Sequence, residues 1–227
     1  TLTNARSIFD ANTSYNINLT IKGNFTNSGI YNHFNNTTTF SGGVQSILGT
    51  TAADFYNLTV SPVTSLTLDG TTTVNHDLSL TRGTLICGAY NVNVKGDVAN
   101  NATYTDAATG IILNGTTLQH LSGTGTFGQL TLNNTLGATL DNSISLNNDL
   151  VMNTGILDIN TYLLNLAKTS NIVNIGAPFS STKMITSDGV WSNVGIKKVF
   201  DILAIPTVFT YPLGTSGKYT PAVFTIS

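Results

Sequence analysis

One stretch of the chain occurs twice and decides the fold. Asp77–Val94 reads DLSLTRGTLICGAYNVNV, and Asp149–Leu166 reads DLVMNTGILDINTYLLNL, a shift of 72 residues (149 minus 77) with no insertion. Leu78 thus matches Leu150, and a glycine interrupts both copies at the same place. Apolar residues alternate with small polar ones, as in half-buried strands joined by turns. The sequence therefore repeats a strand–turn–strand unit.

The repetition extends on both sides of this stretch. Three further segments recur at nearly the same shift: 22–25 as 95–98, 40–49 as 113–123 with one inserted residue, and 55–60 as 127–132. Two copies thus cover most of residues 17–166. Within a copy, apolar pairs recur about 20 residues apart, such as Leu58 with Val60 and then Leu78 with Leu80. Strands this short gain stability only when successive coils stack on one another.

This spacing predicts an all-β, right-handed parallel β-solenoid, also called a parallel β-helix. One side chain of each strand would point into a continuous core, and the next would join a ladder of Thr, Asn and Ser on the surface. The alternative is a pair of small antiparallel β-sandwiches, one for each copy. It is less favoured because few Asn-Gly or Asp-Gly hairpin signals lie between the strands. Almost no helix is expected, since Thr, Asn, Ser and Gly supply the polar positions and glutamate is missing.

Three segments are predicted along the chain. Residues 1–16 form an N-terminal cap or lead-in, residues 17–175 form the solenoid, and residues 176–227 form a C-terminal β-rich cap or partial domain. The last segment holds four of the five prolines and the single tryptophan, and proline is hard to place inside a stacked ladder. Both ends of the sequence fall in mid-pattern, so we expect a piece of a longer protein.

The low charge of the chain and its short apolar runs argue against two classes of partner, nucleic acid and the membrane interior. Charged residues make up 9% of the 227 residues, and the net charge is −2. The densest basic cluster, Lys197-Lys198, is too small for a nucleic-acid-binding surface, and no apolar run reaches the ~18 residues of a spanning helix. We expect neither nucleic acid nor membrane insertion. The single cysteine, Cys87, takes the place of Ile159 in the second copy, which predicts a small buried hydrophobe.

The sequence offers no catalytic or metal-binding constellation, and we expect no cofactor. The eleven aspartates are scattered. Repeat partners such as Asp77 and Asp149 lie several coils apart, roughly 15–19 Å, which is too far for the two carboxylates of a glycosidase. We expect each aspartate to hydrogen-bond its own turn. Because His76 and Asp77 are adjacent, they would face opposite sides of a strand and form no relay; His33, His76 and His120 lack the spacing of metal ligands.

Aromatic side chains are the best candidates for ligand contact, because their faces stack on sugar rings. Tyr31 and Phe34 lie in the asparagine-rich loop GIYNHFNN, which we expect to bulge from the rod with its rings exposed. Trp191 is the third candidate, and Tyr15 and Tyr104 are further aromatic residues expected to be exposed. Packing or capping is the competing role for all of them.

Several phrases carry a resemblance to a known family: F-x-G…Q-x-I/L-x-G over 40–49 and 113–123, F-x-N/Q-L-T-V/L over 55–60 and 127–132, and D-L-S-L-T-x-G-T-L over 77–85. They resemble the repeats of very large Bacteroidota surface proteins, which are similar to adhesins exported through the type IX secretion system. Residues 211–221 resemble the proline–glycine strand motif that follows such repeats. The resemblance implies a secreted, cell-surface protein whose partners are the secretion machinery and other segments of the same long chain.

These features lead us to expect a non-enzymatic adhesin or stalk module, a rigid spacer with glycan or surface binding. Two alternatives belong to other classes. One is a β-helix carbohydrate-active enzyme, a lyase or hydrolase, and the other is a subunit of a self-assembling surface filament. A groove with two carboxylates within about 10 Å of each other would favour the enzyme.

Overall fold

A computed structural model describes residues 1–5, 8–11, 14–104, 109–188, 194–201, 207–215 and 217–226. Within these ranges the chain forms strands and turns and no helix. The strands are, in chain order, β1 (Leu2–Asn4), β2 (Ile8–Asp10), β3 (Leu19–Ile21), β4 (Phe25–Asn27), β5 (Ile30–Asn32), β6 (Thr37–Phe40), β7 (Val44–Leu48), β8 (Ala53–Phe55), β9 (Asn57–Val60), β10 (Ser65–Leu68), β11 (Thr72–Val74), β12 (Leu78–Leu80), β13 (Thr84–Ile86), β14 (Val92–Val94), β15 (Val98–Asn100), β16 (Thr103–Tyr104), β17 (Gly110–Leu113), β18 (Gln119–Ser122), β19 (Thr126–Phe127), β20 (Gln129–Asn133), β21 (Ala138–Leu140), β22 (Ile144–Leu146), β23 (Leu150–Thr154), β24 (Leu157–Asp158), β25 (Leu163–Leu166), β26 (Ile172–Asn174), β27 (Ile185–Thr186), β28 (Gly195–Lys198), β29 (Thr207–Tyr211), β30 (Gly214–Thr215), β31 (Lys218–Tyr219) and β32 (Ala222–Ile226).

Most of these strands form three parallel sheets of ten, seven and nine strands. In each sheet a strand pairs with the strand three places further along the chain, for example β7 with β10 and β10 with β13. The chain therefore passes through the ten-, seven- and nine-stranded sheets in turn, and each full pass is one coil. This arrangement confirms the predicted parallel β-solenoid. Its right-handedness stays a prediction.

The coils enclose one continuous hydrophobic core. Along β12, Leu78 and Leu80 are fully buried while Ser79 faces outward, so the predicted alternation is present. Leu78 and Leu150, which are repeat partners, belong to the same buried cluster. Burying one such leucine stabilises the fold by about 1.5–3 kcal/mol. Because the two copies share a core, the alternative of two separate sandwiches is wrong.

The sequence repeat and the structural coil differ in length. A coil takes 20 residues where Leu58 pairs with Leu78 and Leu78 pairs with Val98. Leu78 lies in β12 and Leu150 in β23, eleven strands later, which is three and two-thirds coils. The second copy is therefore turned by one sheet: Leu78 belongs to the nine-stranded sheet and Leu150 to the seven-stranded sheet. The sequence repeat therefore specifies the order of the strands but does not determine which of the three sheets each strand joins.

A buried glutamine closes one corner in each copy. Gln119 Nε2 donates to the carbonyl oxygens of Val94 (3.0 Å) and Gly96 in the preceding coil, and Oε1 accepts from the Gly115 amide (2.8 Å). Gln45, its counterpart in the first copy, makes the same three kinds of bond in β7 of the ten-stranded sheet, whereas Gln119 lies in β18 of the nine-stranded sheet. Neither side chain is exposed to solvent. Both therefore pair backbone groups that a turn would otherwise leave unpaired.

The parallel sheets extend beyond both predicted boundaries of the solenoid. β1 lies within residues 1–16 and pairs with β4, while β27 and β28 lie within residues 176–227 and pair with β24 and β25. After them, β29 pairs with β32 and β30 with β31, both antiparallel. Ile185 of β27 bridges to Leu213 next to this antiparallel unit, which is compatible with the predicted C-terminal cap.

The side chain of Lys198, the last residue of β28, contacts both the solenoid and the C-terminal unit. Its Nζ donates to the carbonyl oxygens of Ala167 and Lys168, both at 2.8 Å, and lies 5.7 Å from the ring centroids of Phe200 and Phe209. Loss of solvent around the ammonium lowers the pKa of Lys198. Charge-assisted bonds and aromatic faces thus join the solenoid to the C-terminal unit.

Candidate functional site

A polar groove lies where the seven-stranded sheet passes into the nine-stranded sheet. The chain turns there between β11 and β12, one coil later between β14 and β15, and next in the longer loop between β17 and β18. We call this cavity of about 440 Å³ the His76 groove. Its lining consists of Asn75, His76, Asp77, Lys95, Gly96, Asp97, Thr116, Thr117, Leu118 and His120.

One wall of the groove ends a stacked row of rings. Tyr56 and His76 take the same place in successive coils, since the His76 amide donates to the Tyr56 carbonyl oxygen (2.9 Å). Their rings are stacked, with centroids 4.8 Å apart and planes 16° apart. His33 adds a tilted ring 6.3 Å from that of Tyr56. Gly96 follows in the next coil, its amide donating to the His76 carbonyl oxygen (2.9 Å), and supplies no side chain to continue the row.

Gly96 is required by the tightness of this corner. A Cβ placed there would lie 2.5 Å from Asp77 Oδ1 and 2.6 Å from the carbonyl carbon and oxygen of His76. These separations are far inside van der Waals contact, so any other residue would push the coils apart. The absence of a side chain at Gly96 therefore both allows the close approach of the backbone and ends the row of rings.

Aspartates join the turns of the groove from coil to coil. Asp77 Oδ1 accepts a hydrogen bond from the Asp97 amide (2.9 Å), and Asp97 Oδ1 accepts one from the His120 amide (2.8 Å). The prediction that each aspartate bonds its own turn is wrong for these two, because each caps the turn of the next coil. Adjacent coils lie about 4.8 Å apart, which places the Asp77 and Asp97 carboxylates beside each other in the groove.

His76 and Asp77 contact each other, contrary to the prediction. His76 Nδ1 lies 3.1 Å from Asp77 Oδ2 and 3.0 Å from Asn57 Oδ1. The prediction placed both residues on a strand, but they lie in the turn between β11 and β12, where neighbouring side chains can point the same way. Both contacting oxygens are acceptors, so Nδ1 is the donor in these two contacts.

Two further pairs lie at the groove. His120 Nδ1 lies 3.0 and 3.2 Å from the two carboxylate oxygens of Asp141, and both side chains are nearly half exposed. The hydrogen bond with Asp141 raises the pKa of His120, against a smaller opposing effect of burial. Lys95 Nζ donates to Asn75 Oδ1 at 2.7 Å. The groove thus presents carboxylates, an ammonium, an amide and imidazoles together.

The predicted ligand-contact residue Tyr31 lies in the core. It is 8% exposed, and its hydroxyl lies 2.9 Å from Thr38 Oγ1 and 2.8 Å from Asn36 Nδ2. Its ring stacks on that of Phe9, with centroids 5.4 Å apart. The expectation of an exposed ring is therefore wrong, because β5 directs Tyr31 inward against an aromatic cluster at the first coils. Burial raises the pKa of its hydroxyl.

The other predicted aromatic residues differ in placement. Phe34 is partly buried, packs against the core cluster and has a positive φ of 46°, so ligand contact stays a prediction for it. Tyr104 was expected to be exposed and is fully buried, whereas Tyr15 is 80% exposed. Trp191 lies outside the described residues. Cys87 is buried, as predicted.

Sequence reasoning missed the groove because it compared positions 72 residues apart. At a shift of 20 residues, Tyr56-Asn57, His76-Asp77 and Gly96-Asp97 align. This recurrence was visible in the sequence and places an Asn or Asp at each turn. It is recognised only when polar positions, like the apolar pairs, are compared from coil to coil and not only between the two copies.

No protein-family model matches the chain, and the curated proteins and solved structures contain no match either.

Two absences hold for the part of the chain that the structure describes. No three His, Cys, Asp or Glu side chains are grouped so that they could hold a metal ion. No helix there is long and apolar enough to cross a membrane.

Proposed function

We propose that the chain is a non-enzymatic spacer of a large bacterial cell-surface protein, a stiff rod with a binding groove on its side. The observation that carries the proposal is the stack of three parallel sheets over one continuous core. The resemblance of the repeats to Bacteroidota adhesins supports a secreted, surface-exposed setting with type IX export. Other segments of the same long chain, glycans or surfaces, and the secretion machinery would be its partners.

Stiffness follows from how each coil is bound to the next. Three ladders of parallel backbone hydrogen bonds run along the stack, and corner side chains such as Gln119 and Asp97 add bonds between coils. Ten strands at about 4.8 Å spacing make the longest sheet roughly 43 Å long. Bending would stretch one ladder while compressing another, and both would disturb the packed core.

Single-molecule pulling on handles attached at the two ends of the chain tests this proposal. We expect the molecule to keep its length as the force rises until a sharp rupture occurs. A variant with a weakened corner, Gln119→Leu, should rupture at lower force, and Gln129→Leu, at a partly exposed glutamine, should behave like the parent chain. Gradual lengthening from low force, like that of an unstructured linker, would contradict the spacer role.

One observation favours a second candidate, a carbohydrate-active enzyme. Asp77 and Asp97 are neighbours in adjacent coils, and two carboxylates about 5–10 Å apart are the pair that glycosidases use. Against it, both carboxylates already bind backbone amides, and the Asp77 side chain is 43% exposed. A glycosidase acid is held protonated by an apolar pocket, and this groove is open and polar.

Release of reducing ends from a panel of polysaccharides separates the two candidates. The spacer proposal predicts no release above that of buffer. Release that Asp97→Asn abolishes, while Asp54→Asn outside the groove leaves it unchanged, would establish the enzyme and contradict the non-enzymatic part of the proposal.

A further inference from the structure

We infer that the His76 groove binds a neutral hexopyranose unit of a polysaccharide, with the sugar ring lying against His76 inside the cavity. The inference rests on the proposed surface function and assigns a ligand class to its groove. Three observations support it: the size and lining of the cavity, the polar groups around it and their charge.

The cavity has room for one sugar unit, since its volume of about 440 Å³ is in the range of small-molecule sites. Tyr56 and His76 are stacked 4.8 Å apart, which is the height of one coil. His76 ends this row of rings and lines the cavity. Thr116 and Leu118, in the loop between β17 and β18, line the same cavity. The C–H face of a pyranose packs on an aromatic face in the same way as an offset ring does.

The polar groups that line the cavity can form hydrogen bonds with the hydroxyls of a sugar. Asp77 and Asp97 each use Oδ1 to accept a backbone amide from the next coil, and an ionised carboxylate has further lone pairs for sugar hydroxyls. The Lys95 ammonium, which donates to Asn75 Oδ1, has three N–H donors and supplies the others to a ligand. Hydrogen bonds to charged groups are the stronger ones, so these residues would fix the orientation of a stacked ring.

The charge around the groove excludes acidic sugars. Asp77, Asp97 and Asp141 carry negative charge, and Lys95 is the one ammonium in the lining. A uronate or sulfated sugar would meet like charges at short range, which is unfavourable even with solvent screening. A neutral hexose meets no such repulsion.

The test measures binding of the whole chain to cellohexaose and mannohexaose, with polygalacturonate as the anionic comparison, by calorimetry and affinity electrophoresis. We expect at least one neutral probe to bind. His76→Ala should weaken that binding by about tenfold, the loss of about 1.4 kcal/mol from a stacked ring. Asp97→Asn should weaken it by about fivefold through the loss of a charged acceptor. Thr116→Trp places a large side chain in the lining of the cavity and should also weaken sugar binding.

Matched controls use residues of the same type outside the groove. Tyr15→Ala and Asp54→Asn are exposed changes that should leave sugar binding unchanged, and thermal melting should show that every variant is folded. The inference is overturned if neither neutral probe binds, if polygalacturonate alone binds, or if the groove variants bind like the parent chain. A stiff rod that binds no sugar overturns this inference alone, whereas an extensible chain that binds sugar overturns the spacer proposal alone.

Discussion

At the scale of single residues, corner side chains satisfy the backbone groups that each turn leaves open. Asn100 illustrates this: its Oδ1 accepts from the Ala102 amide (3.0 Å), and its Nδ2 donates to the Thr126 carbonyl oxygen (3.2 Å) in the next coil. Asn100 is fully buried. Buried polar groups are costly unless they are paired, so such residues contribute to stability although they are not apolar.

Gln119→Leu tests this contribution. The change leaves the Val94 carbonyl and the Gly115 amide without their partner in a buried corner, and we expect the free energy of unfolding to fall by about 1–3 kcal/mol. Urea denaturation measures it. The control is Gln129→Leu, a partly exposed glutamine, for which we expect a change within about 0.5 kcal/mol. Equal stability of the two variants would mean that the corner bonds contribute nothing.

The pair of His120 and Asp141 predicts a pH dependence with a definite sign. Because Asp141 raises the pKa of His120 above 6.5 in the folded chain, the pair stabilises the fold fully below pH 6.5. This stabilisation is lost as the pH rises through the raised value. It amounts to less than about 1 kcal/mol, since both side chains are nearly half exposed.

An NMR titration of the His120 ring measures this shift directly. We expect a midpoint above 6.5, and we expect Asp141→Asn to lower it. Asp54→Asn, which is remote from the pair, should leave the midpoint in place. A midpoint at or below 6.5 in the parent chain would refute the pairing.

At the scale of strands, Leu78 and Leu150 test whether both copies contribute to one core. Both side chains are fully buried. Replacing either by alanine should lower the free energy of unfolding by about 2–5 kcal/mol, since the lost burial and the cavity both contribute. Leu136→Ala, at a leucine that is 61% exposed, is the control and should change little. A small effect at only one of the two buried positions would argue against a shared core.

Local alternation made the strands and the fold class predictable, because burial on one face leaves a period-two pattern in the sequence. The predicted solenoid followed from that pattern and its recurrence about every 20 residues, and the burial of Cys87 followed from its match with Ile159 in the second copy. The groove was not predicted, because the directions of turn side chains such as those of His76 and Asp77 leave no period-two pattern. Tyr31 was misplaced for a related reason: whether an aromatic residue points inward depends on the register of β5, which a polar loop sequence conceals.

At the scale of the whole molecule, each coil of the three parallel sheets is stacked on the previous one. The outward residues of the nine-stranded sheet record this order, since Thr20 pairs with Thr39, Thr39 with Thr59 and Thr59 with Ser79. Ser79 then pairs with Ala99, and Ala99 with Ser122. The stack therefore predicts distances along one line.

Electron–electron spin distances between labelled cysteines measure this line most directly, in a chain whose buried Cys87 is replaced by alanine. With one label at Thr20 and the second at Ser79, Ala99 or Ser122, the backbone positions should be about 14, 19 and 24 Å apart, an increase of about 4.8 Å for each coil. Distances that rise in this order support a single stack. Distances that are equal, or that fall from Ser79 to Ser122, would contradict it.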